Sequence, residues 1–242
     1  MGSGSSRHKA TSQTSEEPRK TNIIETQTQT TTQQILLPHK YEDIVKDADS
    51  PIDNSSIDKL YDQLYAGVFL NRKRKASPIV KYWVERKSNN NCFMLFARDL
   101  LITWSDDIRY WHWTYLNETS DVLIDVAELL DVCWLEVRGK FQTVKLSQGI
   151  MYEVVFVVML KDPAYGWEVP VILRLTLPDG STQEHKENLM EKPRGRWIEI
   201  PVGEFRTTAE KVGDIGISLC GSEGGNWKRG LVIKGVSIRP KT

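Results

Sequence analysis

The chain is poor in the residues from which catalysis, metal binding and disulfide cross-linking are usually built. Its 242 residues include only three cysteines and four histidines. Cys92, Cys133 and Cys220 lie far apart without a CxxC pair, and an odd number of cysteines so spaced argues against a disulfide framework or a zinc knuckle. Buried, reduced thiols are the expectation. His8, His39, His112 and His185 are isolated, so no two of them share a zinc-binding interval. Long apolar runs are missing as well. The longest, Val154 to Leu160, suits a buried strand and falls far short of the roughly 18 residues that mark a membrane span. The start, Met1-Gly2-Ser3-Gly4-Ser5-Ser6, leads into polar Thr and Gln with no apolar stretch of the secretory kind. The expectation is a cytosolic protein whose Asn54 and Asn117 sequons are coincidental. Charge of one sign is absent too: 32 Lys+Arg balance 32 Asp+Glu, which leaves no overall field to hold a polyanion or an anionic membrane.

What is present falls into three stretches. Residues 1–40 are Ser, Thr, Gln and charge, and they read as a disordered tail, because nothing in them offsets the entropy of ordering. Residues 41–79 read as a short amphipathic helix and a basic linker. Ile57, Leu60, Tyr61, Leu64, Tyr65 and Val68 recur at helical spacing, Ser55 stands three before Asp58 as in a capping box, and Gly67 closes the pattern. Arg72-Lys73-Arg74-Lys75 and Ser77-Pro78 follow, a run that reads as solvated linker, a nuclear-import signal or a phosphate contact.

From residue 80 to residue 242 the pattern is β. Short runs rich in Val, Ile and aromatics, bounded by Gly, Pro, Asn or Asp, fall at 82–84, 92–97, 100–104, 132–137, 152–160, 169–177, 197–202, 215–220 and 231–238. Pro178-Asp179-Gly180 should close a hairpin. Asp121 to Leu130 reads either as a helical turn or as a loop leading into a strand. Strands spaced in this way without alternating helices predict an all-β jelly-roll sandwich.

Enzyme motifs fail in turn. Gly216 to Gly221 resembles a nucleophile elbow, but its closing glycine comes one residue late. Gly224 to Arg229 is glycine-rich and basic without the order of a phosphate loop. Asp106 and Asp107, adjacent on a strand, would point to opposite faces and could not share a substrate. The chain therefore reads as a non-enzyme without a cofactor or metal. Tryptophan stands out instead, with eight residues in the chain. Trp104, Tyr110, Trp111, Trp113 and Tyr115 are interleaved with Ser105, Asp106, Asp107, Arg109 and His112. The Ser-Asp-Asp break places Trp104 and Trp111 at the two edges of one loop, where flat rings beside polar groups suit the C–H faces and hydroxyls of a sugar. Trp134 and Trp83, set in apolar runs, are expected to fill the core.

Asn91-Cys92-Phe93-Met94-Leu95, Leu101 to Asp107, Tyr110 to Trp113, Val132 to Glu136, Gly195 to Glu199 and Gly203-Glu204-Phe205 occur in the order of the phloem protein 2 family. These plant lectins have a carbohydrate-binding domain similar to tobacco agglutinin, Nictaba, and the resemblance covers residues 80–242. The stretch from Ile44 to Leu70 also resembles the segment preceding that domain in phloem lectins. The resemblance implies a jelly-roll fold, no catalysis, and binding of N-acetylglucosamine oligomers such as chitin fragments, of the N-glycan core and of glycoproteins. It further implies the cytoplasm of phloem cells and a tendency to form a homodimer. Many relatives carry an F-box ahead of the lectin domain, and residues 1–40 contain nothing like one, which argues against a ubiquitin-ligase adaptor. The family's two sugar-contacting tryptophans match Trp104 and Trp111. Asp106, Asp107, Tyr110 and Trp113 surround them, Glu199 and Glu204 are candidate site carboxylates, and Trp227 is the next candidate ring. Two other readings remain at this stage. One is an RNA carrier using Arg72 to Lys75 and Lys228-Arg229 on phosphate, with exposed rings stacking bases. The other is a phloem filament protein bridged through its cysteines.

Overall fold

The computed structural model describes residues 1–2, 36–70, 80–221 and 223–241. Most of the expected tail and the whole basic stretch from Arg72 to Pro78 lie outside these residues. Everything that follows belongs to the compact unit Pro38–Thr242.

Two helices come first, α1 (Tyr41–Val45) and α2 (Ile57–Ala66). The cap of α2 is Ser56 rather than Ser55: its hydroxyl oxygen accepts the Lys59 N–H at 3.3 Å, while Ser55 Oγ accepts from the Lys59 ammonium at 3.1 Å. Leu60 and Leu64 are buried, so the apolar stripe of α2 is covered, as a helix this short requires. Residues 38–40, placed in the tail by composition, are tied to the domain. The Asn91 amide donates to His39 O at 2.6 Å, and His39 Nε2 lies 3.1 Å from Val144 O.

Thirteen strands follow among the described residues: β1 (Val68–Leu70), β2 (Val80–Val84), β3 (Asn91–Phe96), β4 (Leu101–Ile102), β5 (Trp111–Asn117), β6 (Leu123–Leu129), β7 (Leu135–Gln142), β8 (Met151–Tyr165), β9 (Val171–Thr176), β10 (Thr182–Glu187), β11 (Trp197–Arg206), β12 (Asp214–Gly221) and β13 (Arg229–Pro240). They form a sandwich of two antiparallel sheets. The large sheet runs β1-β2-β3-β13-β6-β5, with β8 joining β13 to β11, and the small one runs β10-β9-β12-β7-β4. The stretch from Asp121 to Leu130, left between two readings by the sequence, forms β6.

Alternation builds the core. Val154, Phe156, Val158 and Leu160 of β8 are buried, as are Val171, Leu173 and Leu175 of β9 and Ile215, Ile217 and Leu219 of β12. The rings of Phe93 and Phe141, 4.7 Å apart, join β3 of one sheet to β7 of the other. Met94, Phe96, Ile124, Val126 and Val232 make a smaller cluster, and the half-buried Trp83 packs against it rather than filling the main core. β13 is the central strand. It pairs with β8 along its length and, on its other side, first with β6 (Val232 opposite Glu128) and then with β3 (Ile238 opposite Phe93). The hairpin expected at Pro178-Asp179-Gly180 joins β9 to β10. Leu177 N–H donates to Ser181 O at 2.8 Å and Gly180 takes φ +82°, a value that costs glycine nothing.

Candidate functional site

The short β4 extends its pairing with β7 by one more bond, from Thr103 N–H to Glu136 O at 3.0 Å, and then the chain turns. Ser105 N–H bonds back to Ile102 O at 3.2 Å and Asp107 N–H to Trp104 O at 3.0 Å. Asp107 is occupied by the turn itself. Its carboxylate accepts the backbone N–H of Arg109 at 3.0 Å and the Arg109 guanidinium at 2.6 Å, and these bonds push its pKa down to about 2. Asp106 is exposed beside it, so the two acids sit in a turn and not on opposite faces of a strand. Ile102, Trp104, Ser105, Asp106, Asp107 and Ile108 line a shallow, open cleft.

Trp104 carries the most informative geometry. Its φ of +61° lies in the left-handed region, which costs a bulky L residue about 1–2 kcal/mol, and its ring is 48% exposed. The carbonyls on either side of it are gripped by two other indoles. Trp111 Nε1–H donates to Thr103 O at 3.0 Å, and Trp113 Nε1–H to Ser105 O at 2.8 Å. Both donors stand on one face of β5, two residues apart. The Tyr110 ring lies against Trp104 with centroids 5.4 Å apart. The Arg98 guanidinium covers Trp113 at 3.6 Å and is itself held by Asp125 at 2.9 Å.

Trp111 therefore departs from its expected place at the loop edge. It is 2% exposed, a core ring that supports the loop from beneath. Trp134 departs in the opposite direction: expected in the core, it is 50% exposed. Trp227, at 53%, is the third exposed tryptophan among the described residues.

The three loops that bear these exposed rings are bonded to one another. Leu130 N–H donates to Tyr110 O at 2.8 Å, and Val132 and Lys228 exchange both backbone bonds, at 3.1 and 2.7 Å. Tyr165 OH donates to Asp131 at 3.0 Å, and Trp167 Nε1–H to Arg229 O at 3.0 Å. Gly166, at φ +82°, meets the Trp227 peptide so closely that a Cβ there would stand 1.9 Å from Trp227 O. Lys228 is buried, with its ammonium bonded to Asn226 O at 2.9 Å and its pKa lowered by desolvation. It is not available to a phosphate, which removes one of the two basic contacts expected beside Trp227.

Glu199 and Glu204 do not join this end. Glu199 is held by Arg239 at 2.6 and 2.7 Å and lines a cleft of about 360 Å³ with Lys81, Trp83 and Glu118. Glu204 bonds to Lys241 at 2.6 Å and lines another, of about 670 Å³, with Leu177 and Arg206. Neither cleft contains Trp104. Cys92 is buried, and burial pushes its thiol up to about 12, whereas Cys133 and Cys220 are only half-buried, short of the full burial expected of all three. No group of three or more His, Cys, Asp or Glu among the described residues is placed to hold a metal.

Fold and site together define an antiparallel β-sandwich with an aromatic surface at one set of loops. The chain belongs to the phloem protein 2 family, whose model matches residues 90–240. It is similar to a protein of Arabidopsis thaliana named phloem protein 2-like A1, with 49% identity over 206 residues, 84% of this chain and 81% of that one. It is also similar to a protein of Luffa acutangula named lectin, with 46% identity over 210 residues, 86% of this chain and 97% of that one. Among solved structures, TmCBM61 in complex with beta-1,4-galactotriose matches with a TM-score of 0.34 and 14% identity, over 59% of this chain and 87% of that one.

Proposed function

We propose that the chain is a non-catalytic carbohydrate-binding protein that takes oligomers of N-acetylglucosamine, with Trp104 as a stacking platform. The observation that carries this reading is the Trp104 backbone. A bulky residue persists at φ +61° because the indoles of Trp111 and Trp113 fix the carbonyls on both sides of it, and the strain is spent on presenting a ring to solvent. An apolar face set beside Tyr110, Asp106 and Arg109 suits a pyranose, which offers C–H groups to the ring and hydroxyls to the rim. Membership of the phloem protein 2 family and the Luffa acutangula relative named lectin support the same reading. The family resemblance extends it to N-glycan cores on glycoproteins, to phloem cytoplasm and to a homodimer. A glycan array of the full chain, repeated with Trp104→Ala, tests it: signal confined to N-acetylglucosamine-containing glycans and lost in the variant is the expected result. Retention of signal by the variant would place the site elsewhere.

A further inference from the structure

The cleft of about 360 Å³ that Glu199 lines lies on the face of the large sheet turned away from the Phe93–Phe141 contact, and its charges are unevenly shared. At one end two ammonium groups share one carboxylate. Glu118, just past β5, receives Lys81 from β2 at 3.3 Å on one oxygen and Lys234 from β13 at 2.7 Å on the other. At the opposite end two carboxylates share one guanidinium: Arg239 holds Glu153 at 2.6 Å and Glu199 at 2.6 and 2.7 Å. One end thus has a surplus positive charge and the other a surplus negative one. The side chains of Lys81, Glu118 and Lys234 are only 13–21% exposed, so little water is present to screen the surplus.

The register sets the distance between the ends. Glu199 of β11 pairs with Val157 of β8, and Val157 pairs with Gly235, the neighbour of Lys234. Lys234 and Glu199 therefore stand two strand spacings apart, roughly 10 Å, with apolar Val157 between them. Met94 and the half-buried Trp83 extend this apolar floor. Lys81 is held in place by its surroundings: a Cβ at Gly67 would stand 2.4 Å from Lys81 Cε, so the bare glycine lets the lysine stem pass on its way to Glu118. We propose that this cleft binds a short peptide of about three residues as a zwitterion, its terminal carboxylate at Lys81 and Lys234, its terminal ammonium at Glu199, and an apolar middle side chain on Val157, Met94 and Trp83. Three extended residues span at most about 10 Å, which matches the separation of the two ends. A neutral saccharide would leave both surplus charges uncompensated, and a phosphate ester would satisfy the lysines but bring nothing to Glu199. The cleft does not contain Trp104, so this inference stands apart from the saccharide reading.

The test incubates the full chain with an equimolar library of tripeptides carrying leucine, methionine or phenylalanine at the centre, separates bound from free by gel filtration, and identifies the retained peptides by mass spectrometry. The best of them is then titrated calorimetrically in its free, N-acetylated and C-amidated forms. Each block should weaken binding roughly tenfold or more, the scale of a lost charge-assisted hydrogen bond. Lys234→Gln should weaken the free peptide to a similar degree and shrink the effect of amidation, and Lys234→Arg should restore most of it. Glu199→Gln should do the same for acetylation. Trp104→Ala should bind the peptide like the wild type. Should Lys234→Gln melt far below the wild type, Glu199→Gln decides the matter, because that side chain is half-exposed and its loss leaves Arg239 with Glu153. A library from which nothing is retained overturns the proposal, and so do blocked peptides that bind as tightly as free ones. Competition between the peptide and N-acetylglucosamine oligomers would put both in one site and also overturn it, whereas a negative glycan array leaves it untouched.

Discussion

The indole N–H of Trp111 donates to the carbonyl of Thr103 at 3.0 Å, one peptide before the residue whose ring faces solvent. Two tryptophans seven positions apart thus divide the work: Trp104 presents a ring, and Trp111 holds the peptide that aims it. Trp113 does the same from the other side through Ser105 O.

Replacing Trp104 by glycine removes the ring and relieves the left-handed backbone in one step. Melting should stay the same or rise by about 2–4 °C, the shift expected for roughly 1 kcal/mol in a domain of this size, while titration with N-acetylglucosamine oligomers should show binding lost. A melt many degrees lower would mean that the exposed ring packs against more than Tyr110.

Trp111 should behave in the opposite way. Trp111→Ala leaves a cavity and should cost about 3–5 kcal/mol in chemical denaturation. Trp111→Phe fills most of that space but leaves Thr103 O without its donor, which should cost about 1–2 kcal/mol. The phenylalanine variant should fold and bind sugar more weakly, because the Trp104 loop is no longer held from below.

Gly166 and Gly180 make a matched pair. Both have φ near +82°, but a Cβ at Gly180 meets nothing within 4 Å whereas one at Gly166 would stand 1.9 Å from Trp227 O. Gly180→Ala should cost about 1 kcal/mol from the backbone alone. Gly166→Ala should cost about 2–4 kcal/mol and change the fluorescence of Trp227, since the two loops must part. Equal effects would show that the loops do not touch.

Asp99 supplies a pH signature. Burial raises its pKa from 3.8 to about 6, against a smaller opposing effect of Lys145. The folded state then holds a proton that the unfolded state has lost between about pH 4 and pH 6, so this group's contribution to stability falls as pH rises through that window. Asp99→Asn should flatten the dependence. Subtracting the variant's stability profile from the wild type's should leave a slope confined to that range, and a flat difference would contradict the burial of Asp99.

The fold was largely legible because most strands announce themselves by alternating buried residues, as in β7, β9 and β12. β10, Thr-Gln-Glu-His-Lys-Glu, could not be read: it is an edge strand, held by backbone bonds to β9 and largely exposed, so its side chains carry no apolar signal. The aromatic cluster was recognisable as a group of rings about one turn, but not which of them faces solvent and which is buried. Trp111-His112-Trp113 has the period of a strand, with both indoles on one face, and that alternation was the available sign that Trp111 points inward. Trp134 carried the same kind of sign: it precedes buried Leu135 and Val137 in alternation and shares the parity of Glu136 and Arg138, the outward face of β7, although its apolar neighbours Val132 and Leu135 masked it. Glu199 and Glu204 are close in sequence on β11, but the rise of about 3.3 Å per residue along a strand carries them to two different clefts.

The central position of β13 bears on how the protein is made. Residues 229–240 pair with segments near residues 95, 128 and 155, so the large sheet has no middle until they arrive. A ribosome adding roughly 5–20 residues per second leaves those earlier strands waiting several seconds with unpaired edges. The sandwich must close after its last strand leaves the exit tunnel, and a nascent chain stalled before residue 229 would be a substrate for chaperones rather than a partly working lectin.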